Sequence, residues 1–262
     1  MNIPFIDLTR ESAACIDEMT SACKRVLESG NYVSGKNVDE LESSLSSYLK
    51  VKHVVTVGNG SDALVFILRS LGIGVGDEVI CPANSFIATA WSIVAVGATP
   101  VYCDVNDDLL ISLESLASKV TTKTKAVIPV HLTGRIVDVK SLAEAIDNPS
   151  INIVEDAAQA FGAFDKDKEF AGTLAVAGAF SLHPLKNLGV CGDGGFVSTN
   201  YDKIAYNCRL LRNHGLRNRD EAVLWGYNSR LDEIQAAIGL VKLKHINKWT
   251  SRYIEIAQIY DR

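Results

Sequence analysis

The chain has 262 residues, 47% of them hydrophobic and 22% charged, enough apolar material to bury a sizeable core and exclude wholesale disorder. A formal charge of −5 argues against a nucleic acid or an anionic membrane as the main partner, since either would require a basic surplus. No apolar run reaches the length of a membrane span, and the opening MNIPFIDLTRE lacks the basic start and apolar stretch of a secretory leader. The six cysteines, at 15, 23, 81, 103, 191 and 208, form no Cys-x-x-Cys pair, so reduced, mostly buried thiols in a cytoplasmic protein are expected.

The first fifty residues read as helix. Ser12 to Glu28 carries apolar positions at helical spacing and stops at Gly30, and Val38 to Leu49 repeats the pattern. The chain then alternates. HVVTV (53–57) reads as a short buried strand, and Gly58-Asn59-Gly60 leads into a helix from Asp62 to Leu71. EVICPA is a strand, Phe86 to Val96 a helix ending at Gly97, and TPVYCDV a strand. A helix near Leu113 to Val120 leads to the strand KAVIPVH, a helix near Val139 to Ile146, and the strand INIVED. Such alternation implies a parallel sheet with helices on both faces. No repeat or low-complexity linker interrupts it, so the core to about residue 240 is one α/β domain. The final stretch, from Leu231 to Arg262, reads as helix to its last residue, with no C-cap glycine and no terminating proline; a following segment is expected to be missing.

In an open α/β sheet, ligands bind beyond the carboxyl ends of the strands. Four segments place unusual residues there. In VGNGSDAL (57–64) a strand feeds a glycine turn, and the helix opens with Ser61 and Asp62, where free amides and the helix dipole would hold a phosphate; an ordinary turn with Ser61 as N-cap is the alternative. No Gly-Lys-Ser/Thr follows, so this is not a Walker loop, and the glycines of LGIGVGDEV follow a helix and precede a strand, the reverse of a dinucleotide fingerprint. In NIVEDAAQAFGA an apolar strand runs into Glu155 and Asp156, with Gln159 one turn on. A carboxylate in that setting must cap the next turn or face a cation or strong donor, such as a protonated ring nitrogen.

The third segment, FAGTLAVAGAFSLHPLKNLGVCG, has Lys186 as its one formally charged residue. A lysine isolated there is costly to bury in its charged form, and a neutral, nucleophilic lysine is what Schiff-base chemistry requires, although most lysines snorkel to the surface. The fourth is the cationic run CRLLRNHGLRNRDE followed by GYNSRLDEIQAA. Its Arg209, Arg212, His214, Arg217 and Arg219 are candidates for an anionic substrate such as a diphosphate, or simply a solvated charged face. His131 and His183 have no third partner at metal spacing, so no metal site is expected, and the absence of Gly-x-Ser-x-Gly argues against a serine hydrolase.

GNGSDAL, ANSFIATAWSIVAVGATPVYCDV, EDAAQAFGA, SLHPLKNLGVCGDGG and RNHG…GYNSRLDEIQAAI together resemble, in order and over nearly the whole chain, the DegT/DnrJ/EryC1/StrS family of pyridoxal-phosphate-dependent sugar aminotransferases. The resemblance implies an α/β, fold-type I large domain with a mostly parallel seven-stranded sheet between helices, assembled as a homodimer with shared active sites. It divides the chain into an N-terminal helical segment (1–35), a pyridoxal-phosphate-binding domain (36–245) and the start of a helix leading to a missing C-terminal small domain (246–262).

The resemblance also makes Lys186 the Schiff-base lysine and Asp156 the carboxylate that keeps the pyridine nitrogen protonated, as an electron sink requires. Gln159 corresponds to the residue that hydrogen-bonds the cofactor's phenolic oxygen and Phe86 to the aromatic that stacks on the ring. Ser61 and Asp62, largely through backbone amides, and Ser181 map to the phosphate cradle, and Asn228 to the residue reaching the phosphate from the neighbouring subunit. The implied reaction carries an amino group from L-glutamate to a keto sugar on a nucleotide diphosphate, giving an amino sugar for glycan or antigen biosynthesis. GNGSDALVFILRSLGIGVGDEVI is closest to the branch acting on a dTDP-3-keto-6-deoxyhexose, with the 4-keto branch as the alternative. A lyase of the same family would carry histidine in place of Lys186, and a catalytically inactive truncated module is the remaining rival. Three features depart from the family pattern: Thr133 stands where an aromatic is usual, Leu185 replaces a small or hydroxylated residue, and the chain spans about two-thirds of a member.

Overall fold

The computed structural model describes residues 4–261; Met1–Ile3, which begin the expected N-terminal segment, and Arg262, the expected open helical end, lie outside them. The first helix is two helices. α1 (Leu8–Ala13) is capped by Asp7, which accepts the Thr9 amide, and it closes where Ala14 and Cys15 bond back to the Glu11 and Ser12 carbonyls. α2 (Ile16–Ser29) then restarts and ends at Gly30, whose φ of 66° is the left-handed C-cap a glycine adopts without strain. α3 (Lys36–Leu49) follows.

Next come β1 (His53–Val57), α4 (Gly60–Ser70), β2 (Glu78–Pro82), α5 (Ile87–Ala95), β3 (Thr99–Cys103), α6 (Leu113–Lys119), β4 (Thr124–Val127), α7 (Val139–Ile146) and β5 (Asn152–Asp156), in the expected alternation. β4 is shorter than KAVIPVH because Pro129 has no amide to continue a ladder. Beyond it lie β6 (Ala177–Ser181), β7 (Gly195–Thr199), α8 (Asp202–Leu211), a small hairpin of β8 (Leu216–Asn218) and β9 (Glu221–Ala222), and the long α9 (Glu233–Tyr260). Among the described residues no helix is long and apolar enough to cross a membrane.

The seven-stranded sheet has the order β1-β7-β6-β5-β4-β2-β3. β7 runs antiparallel to both its neighbours, and every other pairing is parallel, so the sheet is mostly parallel. Because successive strand residues point to opposite faces, each strand feeds two cores. Val55, Val57, Val79, Cys81, Ala179 and Val197 pack under α4, α5 and α8. Val54, Phe180 and Phe196 face α2, α3 and α9, and Ile80 and Val127 face α6 and α7. In the second of these cores Phe180 and Phe196 stack with centroids 4.4 Å apart, and Phe161 meets both edge-on.

Two buried glutamates tie helices to this frame. Glu42 of α3 accepts the Thr56 amide and hydroxyl and pairs with Arg212, which follows α8. Glu233, opening α9, accepts the amides of Gly35, Asn37 and Val38 at the start of α3. Burial alone would raise its carboxyl, but the Asn37 side chain and these amides outweigh it and hold it below the usual carboxylate range. Replacing Phe196 by Ala removes a fully buried ring from the stack and is expected to lower unfolding stability by about 3–5 kcal/mol, read from urea denaturation with an unchanged m-value.

Candidate active site

The strands deliver the site at their carboxyl ends. Asp156 is the last residue of β5 and is 7% exposed. Its Oδ2 accepts the Thr89 hydroxyl of α5 at 2.7 Å, and its Oδ1 accepts the Ala158 amide at 3.2 Å. Burial pushes its carboxyl above the usual carboxylate range, against those two hydrogen bonds and the nearby Lys186 and His131, which pull it down.

Glu155, one residue earlier, points to the other face of the sheet and is fully buried. There Gly172, Leu174 and Ala175 donate their amides to it at 2.7–2.8 Å. His131 completes the set: its Nδ1 accepts the Val137 amide, which leaves the proton on Nε2 to be donated to Glu155 at 2.8 Å. Of the two carboxylates expected at the strand end, one is therefore consumed by the fold and the other faces the site.

Asp156 lies in the wall of a cavity of about 340 Å³ together with Lys186, Gln159, Ser181, Ser61 and Phe86. Lys186 is half-buried, in a tight turn after β6 where its amide donates to the His183 carbonyl. Ser181 Oγ accepts the His183 amide, and Gln159 Oε1 accepts that of Thr133. Phe86 caps α5 and is 70% exposed. A second cavity of about 620 Å³, lined in part by Phe164, Tyr253 and Ile254, shares Gln159, Leu185 and Lys186 with the first, so the lysine faces both. Of the two residues that depart from the family pattern, Leu185 lines both cavities and is 54% exposed, and Thr133 lines the second and holds a left-handed backbone with φ 56°.

The turn before α4 is built differently from the expectation. Asn59, not Ser61, is the N-cap: its Oδ1 accepts the Asp62 amide at 2.8 Å. That amide is consequently taken, and the Asp62 carboxylate is held by Ser229 Oγ at 2.6 Å and Asn59 Nδ2 at 3.0 Å. Asp62 supports the turn from behind and does not line the cavity. The Gly60 and Ser61 amides, by contrast, have no acceptor among the described residues and stand at the positive end of the helix dipole. The space beside them exists because glycines line it: a Cβ on Gly60 would meet Ser181 at 2.9 Å, and one on Gly195 would meet the Asn59 carbonyl carbon at 2.4 Å. Asn228 is exposed and outside the cavity lining of its own chain.

The cationic run is dispersed by its tertiary partners. Arg212 is locked to Glu42, with Arg209 3.9 Å from the same carboxylate, and Arg217 pairs with Glu221. None of the five cationic candidates lines either cavity. Residues that the motifs did not single out are also in place: Thr89, Ser85, Asn59, Ser229 and Asp193. A hydroxyl four residues after another at a helix start is the one sequence sign of the first two. Among the described residues no group of three or more His, Cys, Asp or Glu is placed to hold a metal ion, and burial pushes the Cys81 and Cys208 thiols up to about 12, too high for nucleophiles at neutral pH.

A cavity with a lysine and a buried carboxylate on its walls and two free helix-start amides at one end fits pyridoxal phosphate, whose aldehyde, ring nitrogen and phosphate are the three groups those features would meet. Fold and site together define the large domain of a fold-type I, pyridoxal-phosphate-dependent aminotransferase. A model of the DegT/DnrJ/EryC1/StrS aminotransferase family matches residues 14–262, and the chain belongs to that family. It is 42% identical over 260 residues to the dTDP-3-amino-3,6-dideoxy-alpha-D-galactopyranose transaminase of Aneurinibacillus thermoaerophilus, covering 98% of this chain and 71% of that protein. It superimposes on the crystal structure of DesV of S. venezuelae in complex with a ketimine intermediate with a TM-score of 0.95 at 39% identity, over 98% of this chain and 70% of that one. The corresponding values for NtdA of Bacillus subtilis with bound cofactor PMP are 0.87 and 33%, over 94% and 56%.

If Arg212 is a structural ion, Arg212→Met strands a buried Glu42 carboxylate. It is expected to cost about 3–5 kcal/mol of stability in chemical denaturation while leaving pyridoxal phosphate affinity within about twofold.

Proposed function

We propose that this chain transfers an amino group from L-glutamate to the keto carbon of a nucleotide-linked sugar, with a dTDP-3-keto-6-deoxyhexose as the favoured acceptor. The observation that carries this reading is the pairing of Lys186 and buried Asp156 on the walls of one cavity at the carboxyl end of the sheet. The 3-amino dTDP-sugar named in the A. thermoaerophilus relative supports the acceptor. The six unpaired cysteines are in keeping with a cytoplasmic setting.

When bound, pyridoxal phosphate supplies an aldehyde that takes up the amino group and a ring that accepts the electrons left at the donor carbon. Lys186 Nζ would anchor it between turnovers and, once displaced, would receive the proton from the donor's Cα. Asp156 would hold a proton on the pyridine nitrogen, Gln159 would meet the phenolic oxygen, and Phe86 would cover the ring. The amides of Gly60 and Ser61 and the hydroxyls of Ser61 and Ser181 would hold the phosphate, with Asp62 bracing the turn through Ser229. In a homodimer, exposed Asn228 would reach the phosphate of the neighbouring subunit. The second cavity, which Lys186 also faces, gives the acceptor sugar a place beside the amine.

Borohydride reduction of the pyridoxal phosphate complex, followed by peptide mapping, is expected to place the adduct on Lys186, and Lys186→Ala is expected to give no adduct while melting normally. An adduct elsewhere would overturn the lysine assignment. With L-glutamate, wild-type protein is expected to release 2-oxoglutarate in a single turnover and then to aminate a dTDP-linked 3-keto sugar. Preference for a 4-keto or UDP-linked acceptor would correct the substrate, and cofactor binding without amine transfer from any donor would favour an inactive module.

A further inference from the structure

Thr89 is 1% exposed and sits in the first turn of α5. A buried hydroxyl needs a partner, and in a helix the usual one is the carbonyl a turn earlier. Here the Thr89 hydroxyl is directed elsewhere, to Asp156 Oδ2 at 2.7 Å. The same residue's amide donates to the Phe86 carbonyl at 3.1 Å. One residue is thus bonded through its side chain to the carboxylate in the cavity wall and through its backbone to the aromatic residue at the cavity mouth. Ser85 completes the chain. Its Oγ lies 2.7 Å from Thr89 Oγ1, whose own proton is committed to Asp156, so Ser85 is the donor.

We propose that Thr89, oriented by Ser85, is a positioning residue of this site: it holds Asp156 ionised and aimed at the cofactor's ring nitrogen, and fixes Phe86 at the start of the same helix relative to that carboxylate. The proposal rests on the reading of Asp156 as the partner of the ring nitrogen. The titratable groups around Asp156 are Lys186 in the turn after β6, His131 after β4 and Cys81 on β2. His131 is already bound to Glu155 and the Val137 amide, so its proton is committed away from Asp156. Cys81 is a neutral thiol at working pH. Among the described residues, Thr89 and the Ala158 amide are therefore the two hydrogen-bond donors to the Asp156 side chain, and the threonine is the one a side-chain substitution can remove.

The test is the pH dependence of pyridoxal phosphate affinity, measured by fluorescence titration of the full chain from pH 5 to 9. Ionised Asp156 pairs with the protonated ring, so wild-type affinity is expected to fall on the acid side as the carboxyl takes up a proton. Thr89→Val keeps the shape and removes a donor to the ionised form; without it the carboxyl protonates at higher pH. The acid limb is expected to move upward by about one pH unit, which is about a tenfold weaker affinity below the limb. Thr89→Ser restores the hydroxyl and is expected to return the limb to its wild-type position, and Ser85→Ala to shift it part of the way. An unmoved limb in Thr89→Val, whether affinity is unchanged or uniformly reduced, overturns the proposal and leaves Thr89 a packing residue. Asp156→Asn separates this from failure of the underlying reading: the limb should vanish, and if it persists Asp156 is not the ring nitrogen's partner. Should Thr89→Val fail to fold, Thr89→Ser and Ser85→Ala still decide, since an unmoved limb in Ser85→Ala together with a displaced one in Thr89→Ser also overturns the proposal.

Discussion

Burying the Asp156 carboxylate at the end of β5 is the constraint around which the site is arranged. Desolvation disfavours the ion, so the surroundings must supply donors and positive charge, and they come from three separate elements: α5 with Thr89, the turn after β5 with Ala158, and the turn after β6 with Lys186. The strand order brings them together. β6 lies beside β5 in the sheet, so the lysine turn and the carboxylate emerge at the same edge. Its neighbour Glu155 meets the same physical problem on the opposite face, answered by three amides and a histidine. That second solution pins the segment 172–175, which leads into β6.

The phosphate end of the cavity depends on close backbone approach. Gly60 and Gly195 leave no Cβ between the α4 turn, Ser181 and β7, and any side chain there would collide. Asn59 caps the helix from outside, which leaves the Gly60 and Ser61 amides free while consuming that of Asp62. Ser229 then links the turn to the loop that carries Asn228, because its hydroxyl accepts the Gly58 amide and donates to Asp62. The turn is thereby tied to the loop that follows the β8–β9 hairpin.

Leu185 and Thr133 give this chain a local character of its own. Both line the second cavity, Leu185 next to the lysine and Thr133 bonded through its amide to Gln159. A branched apolar side chain and a short hydroxyl there shape the space beside Lys186 and Gln159. The large apolar residues on the other wall, Phe164, Tyr253 and Ile254, come from distant parts of the chain.

Much of the fold was legible in the sequence because each signal was local. Apolar runs of four to six residues between glycine turns marked β1 to β5, and helical spacing marked α2 to α7 and α9. The lysine and carboxylate that line the candidate cavity stood out in the sequence too, since a charge in an apolar stretch must be explained wherever the stretch folds. β6 and β7 were not recognised. Their small Ala, Gly and Ser residues carry little hydrophobic pattern and become strands through pairing with β5 and β1. The break between α1 and α2 was also hidden, because the apolar spacing continues across it. The sequence by itself determined which residues must be buried, where the chain turns, and which charges stand in apolar company. Tertiary structure alone decided which partner each polar group meets: Arg212 with Glu42, Glu155 with backbone amides, Asp62 behind its turn, and Thr89 on Asp156. Such pairings join residues far apart in the chain, and no local spacing encodes the geometry that brings them within a hydrogen bond.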